Sequence, residues 1–191
     1  MLAMTYQILF LGSPLFIAAL AHGLCMKYNL FQFLKRPIDL GKNLRNKRIL
    51  GDHKTWRAPF IYIGMCFLGT MIQAWLQGMD FFPEWLFLVD YKQEGWLVGI
   101  MLGLGMTVGE LPNSFIKRQL DISPGGKKQG LLGILFFLFD QVDLAIGIWI
   151  FLFFVVHPPL FLVAWSFVLT LFLHIAVSGI GYLFGMRGTI V

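Results

Sequence analysis

Two aspartates stand where an apolar helix would hold none. Asp140 and Asp143 lie in the run Leu135-Phe136-Phe137-Leu138-Phe139-Asp140-Gln141-Val142-Asp143-Leu144. Their spacing of three puts both carboxylates on one helix face. A charge near the centre of a bilayer costs about 3 kcal/mol on insertion scales, so a pair in this setting has a task. Three tasks suit it. The pair can neutralise a neighbouring Lys or Arg, relay a proton or sodium ion, or hold a hard cation such as Mg2+, which takes oxygens from carboxylates, water and substrate phosphates. The pair by itself leaves all three open.

Two further clusters carry groups suited to phosphate. Residues 109–118 read Gly109-Glu110-Leu111-Pro112-Asn113-Ser114-Phe115-Ile116-Lys117-Arg118. There an acid, a hydroxyl and two adjacent cations crowd one membrane boundary, and Glu110 is placed as a third carboxylate for the aspartate pair. Lys117 and Arg118 also fit plain interfacial anchoring. The second cluster is Gly51-Asp52-His53-Lys54-Thr55-Trp56-Arg57, which offers Lys54 as a point charge, Arg57 as a planar fork and Thr55 as a hydroxyl. It is no P-loop, because the glycine spacing fails and no strand precedes it. A fourth stretch, Pro124-Gly125-Gly126-Lys127-Lys128, reads as a flexible turn that can also order over phosphate.

The elements that must position these groups are transmembrane helices. The 191 residues are 58% hydrophobic and 13% charged, against about 25% charged in soluble domains. The apolar residues fall in runs of spanning length. Their pattern predicts an all-α, polytopic membrane helix bundle forming a single integral membrane domain over residues 1–191, with about five transmembrane helices near 4–26, 58–76, 95–113, 130–156 and 160–185. Nine of the 15 Lys and Arg residues lie between positions 27 and 57. Four more lie at Lys117, Arg118, Lys127 and Lys128, whereas the connection 77–95 holds four acids and one lysine. By the positive-inside rule the loops 27–57 and 114–129 are cytoplasmic, the N-terminus outside and the C-terminus inside. The expected location is the cell membrane, multi-pass, and nucleic acid is not among the expected partners.

Taken together these stretches resemble the archaeal CDP-archaeol synthase family, relatives of the bacterial phosphatidate cytidylyltransferases. The likeness is carried by Ile38-Asp39 through Gly51, Lys54, Thr55, Trp56 and Arg57, by Ser114-Phe115-Ile116-Lys117-Arg118, by Pro124-Gly125, and by Asp140-Gln141-Val142-Asp143. The pieces follow the family order over residues 38–143. Glu110 stands where the family usually carries Asp, and Ala58-Pro59 follows Arg57 where Gly is expected. The resemblance implies an enzyme, a CTP:lipid-phosphate cytidylyltransferase, that joins CTP to a membrane lipid phosphate and releases pyrophosphate. It further implies Mg2+ on Asp140, Asp143 and Glu110, catalytic charge from Lys117 and Arg118, and substrate binding by Lys54, Thr55, Arg57 and Ser114. The rival reading is a small ion-coupled transporter using Asp140 and Asp143. A third is a homologue acting on another phosphorylated lipid.

Overall fold

The computed structural model describes residues 1–79, 81–122 and 130–183. Five α-helices make up most of the described chain: α1 (Leu2–Lys27), α2 (Arg57–Gln77), α3 (Tyr91–Gln119), α4 (Leu131–Leu152) and α5 (Leu160–Leu183). Among the described residues three segments are long and apolar enough to cross a membrane: α1, α2, and Glu84–Gln119, which contains α3. α4 and α5 contribute the shorter apolar stretches Val142–Leu152 and Leu160–Leu173. Large apolar side chains such as Phe16 and Leu20 on α1, Leu68 and Ile72 on α2, and Phe172 on α5 are turned outward. That is the surface a lipid solvent selects.

α3 is the central element, and small residues are what let its neighbours approach. A Cβ on Gly99 or Gly103 would run into the α2 backbone at Phe67 and Ile63. A Cβ on Gly105 or Gly109 would meet the α4 backbone at Ile148 and at the Asp143 carbonyl. The first pair is spaced by four and so is the second, giving α3 two seams on different faces. Close backbone approach of this kind replaces the hydrophobic driving force that is absent between helices in lipid.

α1 packs on α2 around Pro14. A proline inside a helix cannot donate to the carbonyl four residues back and so leaves it open. That carbonyl, of Phe10, accepts from Gln73 Nε2 of α2 and from Ser13 Oγ, and Gly69 of α2 makes room for the proline ring. At the opposite end from the basic loop, Phe10, Phe82, Phe87 and Tyr91 stack edge to face, an aromatic cluster of the sort that marks a membrane interface.

The long basic connection is ordered, and it holds a small strand pair that the all-α expectation omitted. β1 (Asn43–Leu44) and β2 (Lys47–Arg48) pair antiparallel through Arg45 and Asn46, both at positive φ. Two consecutive left-handed residues are what a two-residue hairpin turn requires. The hairpin rests on the C-terminal end of α3: Lys47 Nζ donates to the Gln119 carbonyl at 2.7 Å and pairs with Asp121 at 2.5 Å, and Gln119 Nε2 donates to the Arg48 carbonyl at 3.2 Å. A cation at a helix C-terminus also meets the negative end of the helix dipole. Residues 124–128, expected to form a phosphate-side turn, lie outside the described residues, as do the last two positions of the expected fifth span.

Candidate active site

The α3–α4 seam places the acidic pair. Gly109 of α3 lies against Gly147 and the Asp143 carbonyl of α4. One helical turn further along α3, Asn113 therefore faces Asp143, and a second turn brings Lys117 opposite Asp140. Glu110, Asn113 and Lys117 follow at steps of three and four, one stripe of a helix.

Asn113 Nδ2 donates to Asp140 Oδ1 at 2.5 Å and to Asp143 Oδ2 at 2.7 Å. Lys117 Nζ reaches both oxygens of Asp140, at 2.5 and 2.6 Å. Asp143 is buried and also accepts from the Leu144 backbone N–H at 2.6 Å. Two carboxylates thus share one amide, and one of them holds a lysine. Ser114, half-buried, follows Asn113 on the same helix.

Glu110 does not complete this cluster. Its carboxylate is paired with Lys54 from the end of the basic connection, and among the described residues no group of three or more Asp, Glu, His or Cys side chains comes together as a metal cluster. Glu110 follows Gly109, whose backbone lies against Asp143, but its carboxylate is held by Lys54. Lys54 thereby joins the basic connection to α3.

The other basic residues divide by direction. Arg118, one position beyond Lys117 and so about 100° round the helix, turns under the connection, where a Cβ on Gly51 would meet its Cδ at 3.5 Å. Its Nε is buried without a hydrogen-bond partner. Thr55 is buried and its backbone bridges to Pro37. Arg57 is buried, with its guanidinium donating to Asn29 Oδ1 at 3.2 Å and lying 3.4 Å from Met26 Sδ, at the end of α1. The structure thus joins Asp140, Asp143 and Lys117 in one cluster and Lys54 with Glu110 in another. Arg57 and Thr55 are turned into the base of the connection.

Asp39 organises that connection. Its oxygens accept from the backbone N–H groups of Gly41, Leu50 and Gly51 and from Arg48, at 2.9–3.2 Å. Burial works against its ionisation, but the donors from Leu50, Gly41, Arg48 and Gly51 outweigh it and hold the carboxyl below its ordinary value. Its partner Arg48 is held more firmly protonated by that hydrogen bond, against some desolvation, and by a second carboxylate, Asp52. Gly51, at φ +94, then sits where its missing side chain leaves room over Arg118.

Two functional features escape a reading by residue type. One is Asn113, an uncharged residue inside a charged motif; its signal is the step of three from Glu110 and four to Lys117. The other is an apolar cavity of about 330 Å³ between α1, α3, α4 and α5. Leu11, Leu15, Met106, Leu144 and Ile148 are among its walls. Leu144, next in sequence to Asp143, and Ala145 line it from α4.

The donor set fits Mg2+. Two carboxylates supply hard oxygens, and among the described residues Asn113 Oδ1 is a buried oxygen without a partner; Lys117 balances Asp140 in this state.

Comparison with known proteins shows the family. The family model described as CarS-like CDP-archaeol synthase matches residues 8–190. The CDP-archaeol synthase of Methanosarcina barkeri is 31% identical over 166 residues, covering 80% of this chain and 88% of that protein. The one from Pyrococcus furiosus is 39% identical over 97 residues, half of each chain. A solved structure of an intramembrane enzyme for archaeal membrane lipids biosynthesis superposes with a TM-score of 0.61 at 21% identity, covering 88% of this chain and 90% of that one, a likeness of fold. With its matching model running almost end to end and its acidic pair seated between two apolar helices, the chain belongs to the CDP-archaeol synthase family.

Proposed function

We propose that the chain transfers a cytidylyl group from CTP to an archaeal-type isoprenoid glycerol ether phosphate, or a similar phosphatidate, at the cytoplasmic face of the cell membrane. The observation that carries the reading is the Asp140–Asp143 pair, bridged by Asn113, with Lys117 on Asp140 and an apolar cavity between the same helices. Family membership supports the reaction class. In the reaction an oxygen of the lipid phosphate attacks the α-phosphorus of CTP. A P–O–P bond forms as the bond to the β-phosphate breaks, and pyrophosphate leaves.

Such a transfer asks a protein for positioning and charge stabilisation rather than a side-chain nucleophile. Asp140 and Asp143 would hold Mg2+, which supplies charge screening and alignment of phosphate oxygens when bound. Lys117 leaves Asp140 for a phosphate oxygen, and Arg118, with a buried Nε still unpartnered, neutralises charge beneath Gly51. Ser114 hydrogen-bonds a phosphate oxygen. Lys54 approaches from the basic connection, with Thr55 and Arg57 fixing its base, and the lipid chains stay in the apolar cavity.

The topology that serves this chemistry has five spans in a single membrane domain, the N-terminus outside and the C-terminus cytoplasmic. Both basic loops then face the compartment that holds CTP. Supporting this are the charge asymmetry of the loops and the docking of the 27–57 loop on the same end of α3 that carries Lys117 and Arg118.

The test is incorporation of radiolabelled CTP into extractable lipid by the purified protein, with Mg2+ or with chelator, against phosphatidates and isoprenoid ether-lipid phosphates. The expected result is Mg2+-dependent CDP-lipid, with Asp140→Ala and Asp143→Ala inserted in the membrane but at least about 100-fold slower. Product without Mg2+, or full activity in either variant, would remove the metal assignment. No product with any lipid would remove the reaction.

A further inference from the structure

Asn113 spends both of its amide hydrogens on the carboxylate pair, at 2.5 and 2.7 Å, and among the described residues its oxygen has no partner. The residue is only 5% exposed, so water does not make up the difference from outside. A buried acceptor left without a donor costs about 1–3 kcal/mol. Such a group asks for an explanation, and a bound ion is one.

Three observations bear on that ion. The two aspartates are hard oxygen donors on one face of α4, set for a small divalent cation. No third Asp, Glu, His or Cys joins them among the described residues. Glu110, the residue the family pattern nominates, is held by Lys54. A further oxygen is on Asn113, on the amide that already touches both carboxylates. An amide carries a donor end and an acceptor end of nearly equal size. A half-turn about its last side-chain bond exchanges them without moving α3 or α4.

We propose that Asn113, and not Glu110, is the third protein ligand of the cation held by Asp140 and Asp143. In the cation-free state its NH2 end clamps the two carboxylates and offsets their repulsion. With a cation between the carboxylates, the N–H donors would be repelled and Oδ1 turns inward to share it. Glu110 is left to position Lys54. The inference rests on the metal-dependent reading above and makes it specific to this chain's residues.

Titration of Mn2+ into the purified protein, followed by the loss of the free-ion paramagnetic resonance signal without CTP or lipid, tests this directly. Asn113→Leu should weaken Mn2+ binding at least about tenfold. Asn113→Asp, which restores an oxygen and adds charge, should bind at least as tightly as the unaltered protein, and Glu110→Gln should stay within about twofold. Asn113→Leu binding like the unaltered protein, Asn113→Asp binding more weakly, or a tenfold loss in Glu110→Gln would each overturn the assignment. So would an unaltered protein that binds no Mn2+. Cytidylyl transfer on the same preparations separates the two claims: CDP-lipid formation with Mn2+ affinity indifferent to Asn113 sinks the ligand and leaves the reaction. Asn113-dependent binding without any CDP-lipid keeps the ligand and sinks the reaction.

Discussion

At the scale of single residues, a few ion pairs tie the basic connection together and hold it and α4 to α3. Lys54 answers Glu110, Lys117 answers Asp140, Lys47 answers Asp121, and Arg48 answers Asp39 and Asp52. Asp39 matters most to the basic connection, because one carboxylate fixes three backbone N–H groups and a guanidinium. Its carboxyl is held below the ordinary value, so the unfolded loop binds the proton more readily than the folded one. The stabilisation is therefore complete above the ordinary carboxylate pKa of about 4 and drains away as pH falls through the lowered one. Hydrogen exchange should show the Leu50 and Gly51 amides protected at neutral pH and released as pH falls through the lowered Asp39 pKa. In Asp39→Asn the connection, rich in Lys and Arg, should be cut by trypsin at least about tenfold faster at neutral pH. Equal cleavage rates would mean the hairpin stands without that carboxylate.

At the scale of elements, the geometry of the site depends on how near two helices can come. Gly109 and Gly147 let α3 and α4 touch, and the Asp143 carbonyl would lie 2.7 Å from a Cβ at position 109. Neither backbone can yield without moving a carboxylate. Gly109→Ala should accordingly lower the turnover of CDP-lipid formation by about 100-fold, the usual cost of displacing a reacting group by about 1 Å. Gly64→Ala on α2, where a Cβ meets nothing within 4 Å, should match the unaltered enzyme. If the two variants behave alike, the seam does not set the site. The break at Pro14 shows the same logic from the other side, since a carbonyl freed by proline in α1 is satisfied by Gln73 from α2. A polar residue buried there serves packing and not chemistry.

At the scale of the whole molecule, the two ends of the bundle differ, one carrying the basic connection and the other the cluster around Phe10. The basic connection, the end of α3 and the acidic pair form one polar end, and Phe10, Phe82, Phe87 and Tyr91 mark the opposite one. A membrane separates such ends, and the proposed orientation puts the polar one inside. The native cysteines, Cys25 and Cys66, are free and buried, which makes single-cysteine labelling clean. Glu84→Cys should react with a membrane-impermeant maleimide on intact cells, and Asn46→Cys only after permeabilisation. The reverse pattern would invert the topology and place the site on the wrong side for CTP.

Composition and run length were enough to place the chain among membrane helix bundles, because a 58% apolar sequence has no way to cover a water-facing surface. The spacing of Asp140 and Asp143 was enough to put both carboxylates on one face, because helical periodicity is local. Motif order was enough to suggest the family, which the comparisons bear out. What lay beyond the sequence was every fact that depends on one helix meeting another. Which face of α3 meets α4 is decided by glycines whose role is invisible until a neighbour's backbone fills the missing Cβ. That contact brings Asn113 to the aspartates and leaves Glu110 to Lys54, although position alone made Glu110 the better candidate. Charge can be read from residue type, but whether a charge is already paired depends on packing between helices distant in sequence, and only the tertiary structure decides it.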